Sequence, residues 1–118
     1  MPFNNSKIYE PEYRYGRFKP YPGPETIDEG VCVYDRQRYE GRAQCWTSGT
    51  DISDLNAGNW EDRISSVRVF GHGRLLAFRD PDFRGERVVI DHDVPDLSDY
   101  PMRLSGNWNH EISSLQVQ

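Results

Sequence analysis

The sequence predicts an all-β domain, a two-motif Greek-key sandwich behind an N-terminal extension, and three observations predict it. After residue 29 helical periodicity is nearly absent, and short apolar runs alternate with Gly, Pro, Asp and Asn, the pattern of short strands joined by turns. An internal repeat runs in the same order through both halves of residues 30–118. The composition suits a small dense core: only 36% of the 118 residues are apolar and 28% are charged, but 13% are aromatic. That length bounds the chain to one domain, or one domain and a tail.

Residues 1–29 read as an extension or arm. They hold Pro2, Pro11, Pro20, Pro22 and Pro24, five of the eight prolines, which remove donors and oppose regular ladders. They also hold Tyr9, Tyr13, Tyr15, Phe18 and Tyr21. Two readings stay open: a flexible leader, or an extended arm whose tyrosines lie on the domain. Met1 to Asn5 lacks the basic and apolar regions of a signal peptide, so either the protein stays inside the cell or the chain follows a removed signal. Asn4-Asn5-Ser6 is an acceptor sequon, relevant only in a glycosylating source.

Strands are expected at Val31–Tyr34, Arg42–Thr47, Ser66–Phe70, Leu75–Phe78, Arg87–Ile90 and Ser114–Val117. In the first, Val31 and Val33 face one side and Cys32 and Tyr34 the other. Cys45 lies on the following strand, where it can neighbour Cys32. The alternatives are a Cys32–Cys45 disulfide or two buried thiols. A disulfide would place the protein in an oxidising compartment, extracellular or periplasmic. No Cys-x-x-Cys pair is present, which argues against structural zinc and thiol-redox chemistry.

The repeat has three parts. Tyr34 to Gly41 aligns with Phe78 to Gly85 at an offset of 44, both reading aromatic, four residues, aromatic, any residue, Gly. Asp51-Ile52-Ser53-Asp54-Leu55 aligns with Asp93-Val94-Pro95-Asp96-Leu97 at an offset of 42. Gly58-Asn59-Trp60 through Val67 aligns with Gly106-Asn107-Trp108 through Leu115 at an offset of 48. Motif one thus spans about 30–70 and motif two about 74–118, with the extra residues of the second copy around Ser98–Ser105. Each unit is too short to bury a face alone, and two can share one core. Gly41 and Gly85 suit positive φ in a folded hairpin, across which Tyr34 packs with Tyr39 and Phe78 with Phe83. Trp60 and Trp108 hold equivalent places and read as packing residues.

These residues resemble the βγ-crystallin superfamily over residues 30–118. The microbial members also carry a calcium motif, Asn/Asp, Asn/Asp, any, any, Ser/Thr, Ser. It maps onto Glu61-Asp62-Arg63-Ile64-Ser65-Ser66 and Asn109-His110-Glu111-Ile112-Ser113-Ser114. The resemblance implies a non-enzymatic module that binds one or two calcium ions at one end of the sandwich, each site mixing ligands from both motifs. It implies hydroxyl ligands from Ser65 and Ser113, and backbone carbonyls from Asp35, Arg63, Arg79 and Glu111. The acid or amide positions are Glu61 with Asp62, and Asn109 with His110. Glu61 and His110 depart from the pattern. Imidazole is a poor ligand for a hard cation that prefers six to eight oxygens, so the site served by Asp62 is expected to be the sounder. The alternative is that Ser65, Ser66, Ser113 and Ser114 only hydrogen-bond at strand starts, with no metal.

The rest of the sequence is weaker. A net charge of −5 argues against nucleic acid, and no apolar run reaches the roughly 18 residues of a membrane helix. His72, His92 and His110 lack zinc spacing, and Gly71-His72-Gly73 reads as a turn between the motifs. Asp80, Asp82, Asp51, Asp54 and Asp91 to Asp99 read as exposed loops. No nucleophile, base and stabiliser set is visible, so an enzyme is not expected. Two other functions fit the resemblance. One is a secreted metalloproteinase inhibitor presenting the 98–105 loop, the other a domain that binds carbohydrate or a cell surface within a larger protein. A monomer is expected.

Overall fold

A computed structural model describes residues 27–118; the sequon and the arm up to residue 26 lie outside the described residues, and only Ile27, Asp28 and Glu29 of the arm are described. Two antiparallel sheets face each other. The first contains β1 (Gly30–Arg36), β2 (Glu40–Thr47) and β4 (Ser66–Phe70), in the order β2-β1-β4. The second contains β3 (Asp51–Ile52), β5 (Leu75–Asp80), β6 (Arg84–Ile90) and β7 (Ser114–Val117), in the order β3-β7-β5-β6. Every strand expected from the sequence is present, and β2 and β6 begin earlier than the apolar pattern alone suggested. No helix among the described residues is long and apolar enough to cross a membrane.

Each motif lends one short strand to the other's sheet. From motif one, β3 pairs with β7, Ile52 opposite Leu115. From motif two, Val94 bridges Val67 at the free edge of β4, with N–H···O bonds of 3.0 and 2.8 Å exchanged between them. Ile52 and Val94 are repeat equivalents, so the exchange is reciprocal. Neither motif closes its sheet without its partner.

The core lies between the sheets. Val31, Val33, Trp46 and Val67 come from the first, Ile52, Leu75, Ala77, Ile90 and Leu115 from the second, and all are buried. Leu55, Trp60, Ile64, Leu97, Trp108 and Ile112 close one end from the connecting loops. Trp60 and Trp108 are fully enclosed, as the repeat anticipated. Val31 and Val33 point inward and Cys32 and Tyr34 outward, as strand alternation requires. Cys32 lies opposite Cys45 across the β1–β2 ladder with Cα atoms 4.0 Å apart, and the two form a disulfide.

The two hairpins are folded back alike. Each ladder slips register, between Tyr34 and Arg36 in one and Phe78 and Asp80 in the other. The two residues that end each fold are left-handed without being glycine: Arg38 and Tyr39 at φ 58° and 61°, Asp82 and Phe83 at 60° and 61°. Sequence reading assigned positive φ to Gly41 and Gly85 alone, which do adopt it at 82° and 79°. Non-glycine residues reach this region at a cost of roughly 1–2 kcal/mol each, so something must hold them there.

The hold is a buried serine at the start of the motif's last strand. Ser66 Oγ donates to Arg36 O at 2.6 Å and accepts from Tyr39 N–H at 3.0 Å. Ser114 Oγ does the same to Asp80 O at 2.6 Å and Phe83 N–H at 3.0 Å. The rings then meet edge to face with centroids 5.7 Å apart in both copies. Arg38 N–H donates to Pro95 O and Asp82 N–H to Ser53 O, both at 2.8 Å, tying each hairpin to the short strand received from the other motif.

Removing either hydroxyl leaves a backbone donor and acceptor unmatched beside a strained turn. Ser66→Ala and Ser114→Ala are each expected to cost about 1–3 kcal/mol in urea denaturation. Ser→Ala at the exposed Ser105 should change stability by well under about 0.5 kcal/mol.

A candidate cation site between the two motifs

The loops before β4 and β7 carry the two hexamers, and they are clasped to one another. Asp62 N–H donates to Ile112 O at 3.1 Å, and His110 N–H donates to Ile64 O at 3.0 Å. The two bonds are equivalents at the repeat offset of 48, so the loops cross about a local pseudo-twofold. Both Asp62 (φ 57°) and His110 (φ 61°) are left-handed. Asn, Asp and His are the non-glycine residues enriched in that region. The second position of each hexamer is therefore constrained by the backbone as well as by any ligand chemistry. His110, a departure from the ligand pattern, satisfies the conformational one.

The serines are fixed from two sides. Ser65 N–H donates to Tyr34 O at 2.8 Å and Ser113 N–H to Phe78 O at 2.9 Å, which sets each beside the hairpin residue Asp35 or Arg79. Behind them, Ser65 O accepts from Leu97 N–H at 2.8 Å and Ser113 O from Leu55 N–H at 3.0 Å. Those leucines begin short 3₁₀ turns, Leu55–Gly58 and Leu97–Asp99. Asp54 caps the first by accepting from Asn56 N–H at 3.0 Å, and Asp96 caps the second by accepting from Ser98 N–H at 2.9 Å. Sequence reading left both aspartates as loop acids. Their shared place in the repeat, ahead of a buried leucine, is the signal that could have marked them as caps.

Each serine side chain meets the opposite motif. Ser65 Oγ is hydrogen-bonded to His110 Nε2 at 2.8 Å, and Ser113 Oγ reaches Glu61 Oε2 at a long 3.4 Å. Asp35, Glu61, Asp62, Arg63 and His110 line one cleft, bringing five residues from three segments together. Arg79 and Glu111, the repeat equivalents of Asp35 and Arg63, do not line that cleft, and neither do Ser65, Ser113 or Asn109. The Asp35 side chain is turned to its own hairpin, Oδ1 accepting from Arg42 N–H at 2.8 Å. Asn109, the first position of the second hexamer, keeps its Oδ1 buried with no hydrogen-bond partner.

Among the described residues no three His, Cys, Asp or Glu side chains converge as a metal cluster. A cation held here would draw on backbone carbonyl, hydroxyl, carboxylate and amide oxygens, a set that suits a hard ion and not a transition metal. The donor chemistry fits calcium. The Ser65–His110 hydrogen bond engages one of the hydroxyls, whereas Ser113 is only weakly engaged.

The inserted residues of motif two form a small hairpin beside this end. Pro101 pairs with Asn107, Met102 N–H donates to Gly106 O at 3.0 Å, and Arg103 N–H donates to Glu86 Oε2 at 2.5 Å. Its tip presents Leu104, 94% exposed. Nearby His92 is not simply solvated: it links Asp91, 2.9 Å from Nδ1, to the Tyr100 hydroxyl, 2.8 Å from Nε2. The His92 hydrogen bond holds the Asp91 carboxyl below its usual range, while burial pushes the Tyr100 phenol up. Gly71-His72-Gly73 is the turn between motifs that the sequence suggested.

Two sheets exchanging edge strands, folded hairpins locked by serines, and paired loops crossing at one end define a double Greek-key domain. The family model for beta/gamma crystallin matches residues 30–117, and the chain belongs to that family. Among solved structures, a βγ-crystallin domain from Flavobacterium johnsoniae is 30% identical, covering 75% of this chain and 92% of that one at a TM-score of 0.62. The βγ-crystallin domain of Abundant Perithecial Protein from Neurospora crassa, in a Ca2+-bound form, is 21% identical over 80% and 93% of the two chains, with a TM-score of 0.62. A βγ-crystallin domain from Clostridium beijerinckii is 18% identical over 75% and 97%, again at 0.62. The last two establish likeness of fold. No curated protein sequence matches the chain significantly.

The Asp96 cap gives a direct check on how the loops are held. The Ser98 side chain first, then the Ser98 N–H, holds this carboxyl below its usual range. Its folded value is depressed, so its contribution to stability is present above the ordinary aspartate range and lost as pH falls through the lowered value. An NMR titration should place Asp96 below an unfolded aspartate, and Ser98→Ala should move it back up.

Proposed function

We propose that this domain is a non-enzymatic calcium-binding module in which the ion joins the two Greek-key motifs and stabilises the fold. The observation that carries the reading is the buried, partnerless Oδ1 of Asn109, the first position of the second hexamer. A buried polar atom without a partner costs roughly 1–3 kcal/mol, and coordination to a cation would relieve that cost. The crossing of each serine toward the opposite motif supports ligand sets of mixed origin. In one set we assign Asp35 and Arg63 through their carbonyls with Ser65. In the other we assign Arg79 and Glu111 through their carbonyls with Ser113, and Glu61, Asp62 and Asn109 as side-chain donors. The family's calcium-bound fungal member lends the reading independent support.

The chain's own residues do the positioning. The Asp62–Ile112 and His110–Ile64 bonds hold the loops crossed, and the capped 3₁₀ turns hold the serine carbonyls from behind. Calcium adds a link that the unfolded chain cannot form, so it stabilises by mass action, about 2.7 kcal/mol at a hundredfold excess over its dissociation constant. The disulfide suits an oxidising compartment, where free calcium reaches the millimolar range that weak sites require.

A second reading rests on the Pro101–Asn107 hairpin. A short hairpin anchored at both ends, with an apolar residue fully presented at its tip, suits insertion into a protease cleft. Inhibition of a metalloproteinase that Leu104→Asp abolishes would establish it. No inhibition across a panel would remove it.

Calorimetry on chelator-stripped protein, with thermal melts in parallel, tests the main reading. Saturable heat with one or two ions bound and a raised Tm is expected. Neither heat nor shift at millimolar calcium would refute it. Within a responding protein, Asp62→Ala should weaken calcium binding more than His110→Ala, about tenfold against a few-fold; equal losses would contradict the ranking of the two sites.

A further inference from the structure

The residue after the hairpin glycine is Arg42 in motif one and Glu86 in motif two, repeat equivalents of opposite charge. Each side chain reaches toward the chain that leads into its own motif's hexamer. Arg42 Nη1 donates to Asn59 O at 2.8 Å and Nη2 to Gly58 O at 2.6 Å. Glu86 Oε2 accepts from Arg103 N–H in the inserted hairpin. That hairpin in turn holds the segment before the second hexamer: Tyr100 O accepts from Trp108 N–H at 2.9 Å, and Gly106 O from Met102 N–H at 3.0 Å. Motif one lacks the insertion, and a single side chain stands in its place.

Gly58 ends the 3₁₀ turn Leu55–Gly58, and Asn59 is its left-handed cap at φ 61°. Carbonyls at the end of a helical turn lack donors within it, and a guanidinium presents paired N–H groups that can serve two of them. The same guanidinium lies 4.4 Å from the centre of the Trp60 ring. Trp60 is fully buried although Arg42 is itself exposed, so the arginine forms part of the lid over the indole. The Arg42 backbone holds another wall of the cleft. Its N–H donates to Asp35 Oδ1 at 2.8 Å, and a side chain at Gly41 would collide with that carboxylate. Asp35, Glu61 and Asp62 all line the cleft. One residue thus grips Asp35 and the segment 58–60 immediately before Glu61 and Asp62.

We propose, on the calcium reading above, that Arg42 is the positioning residue of the motif-one part of the cation site, fixing Glu61 and Asp62 against Asp35. Its charge opposes that role. A positive group beside a cation site lowers affinity by repulsion, whereas a brace raises affinity by presenting ligands already ordered. Arg42 is exposed, so water and salt screen the repulsion, and bracing prevails. The fork bonds two carbonyls and covers an aromatic face at once, which neither the point charge of a lysine nor an apolar side chain reproduces. The two parts of the site therefore draw their order from different sources, a side chain in motif one and a backbone hairpin in motif two.

Arg42→Met removes the charge and the fork, and Arg42→Lys keeps only the charge. In calcium-free protein, NMR hydrogen exchange at the Asn59 and Trp60 amides should speed up about tenfold in both variants, with the Trp108 amide unchanged. Exchange equal to that of the wild type would overturn the proposal. In calorimetry, calcium affinity should fall about fivefold in both variants. Tighter binding by Arg42→Met would mean that repulsion decides, and wild-type binding by Arg42→Lys would mean that charge alone matters; either result overturns the proposal. So would a variant that is less stable yet binds calcium as the wild type does, which would leave Arg42 a structural residue. In an Asp62→Ala background Arg42→Met should weaken binding little further, and an undiminished loss would place its effect elsewhere. A wild type that binds no calcium would fail the calcium reading alone, and the exchange comparison would still uphold or overturn the brace. If Arg42→Met does not fold, Arg42→Lys decides both measurements.

Discussion

The structure depends on a single hydroxyl repeated twice. A folded hairpin with two successive left-handed residues is costly for any sequence without glycine at both places. Ser66 and Ser114 offset that cost by donating to the last residue of the first strand and accepting from the turn residue just before the second. Because each serine begins the last strand of its own motif, the lock also sets where β4 and β7 start. The preceding residues, Ser65 and Ser113, are then delivered beside Asp35 and Arg79. Hairpin, strand start and candidate site are thus one mechanical unit, used once per motif.

The second constraint is the exchange of short strands. Val94 completes the first sheet and β3 the second, and each hairpin tip bonds the carbonyl next to the strand it receives. Ion binding at the crossing loops would therefore act where the motifs already depend on each other. That arrangement favours a stability effect, because the loops that the ion would join are already hydrogen-bonded to each other. The differences between the halves lie outside this shared scaffold. They are His110 against Asp62, the inserted hairpin of motif two, and Arg42 against Glu86.

The sequence by itself determined the fold class, the two-motif architecture and the inward and outward faces of β1. These follow from local periodicity and from a repeat whose aromatic, glycine and tryptophan positions recur in order. It also brought Cys32 and Cys45 to neighbouring strands, because the tyrosine hairpin between them fixes the register, although spacing alone left two thiols as an alternative. The division of labour between adjacent serines was not legible. Ser65 and Ser66 are chemically identical in the sequence, and only the direction of each side chain separates a strand lock from a hydroxyl facing the opposite motif. The capping roles of Asp54 and Asp96 and the left-handed Arg38, Tyr39, Asp82 and Phe83 were likewise decided by tertiary contacts. So was the hydrogen bond between Ser65 and His110, residues 45 apart in the chain. A strained conformation or a cross-motif bond is stable only when distant segments supply its partners, and a one-dimensional pattern does not contain those distances.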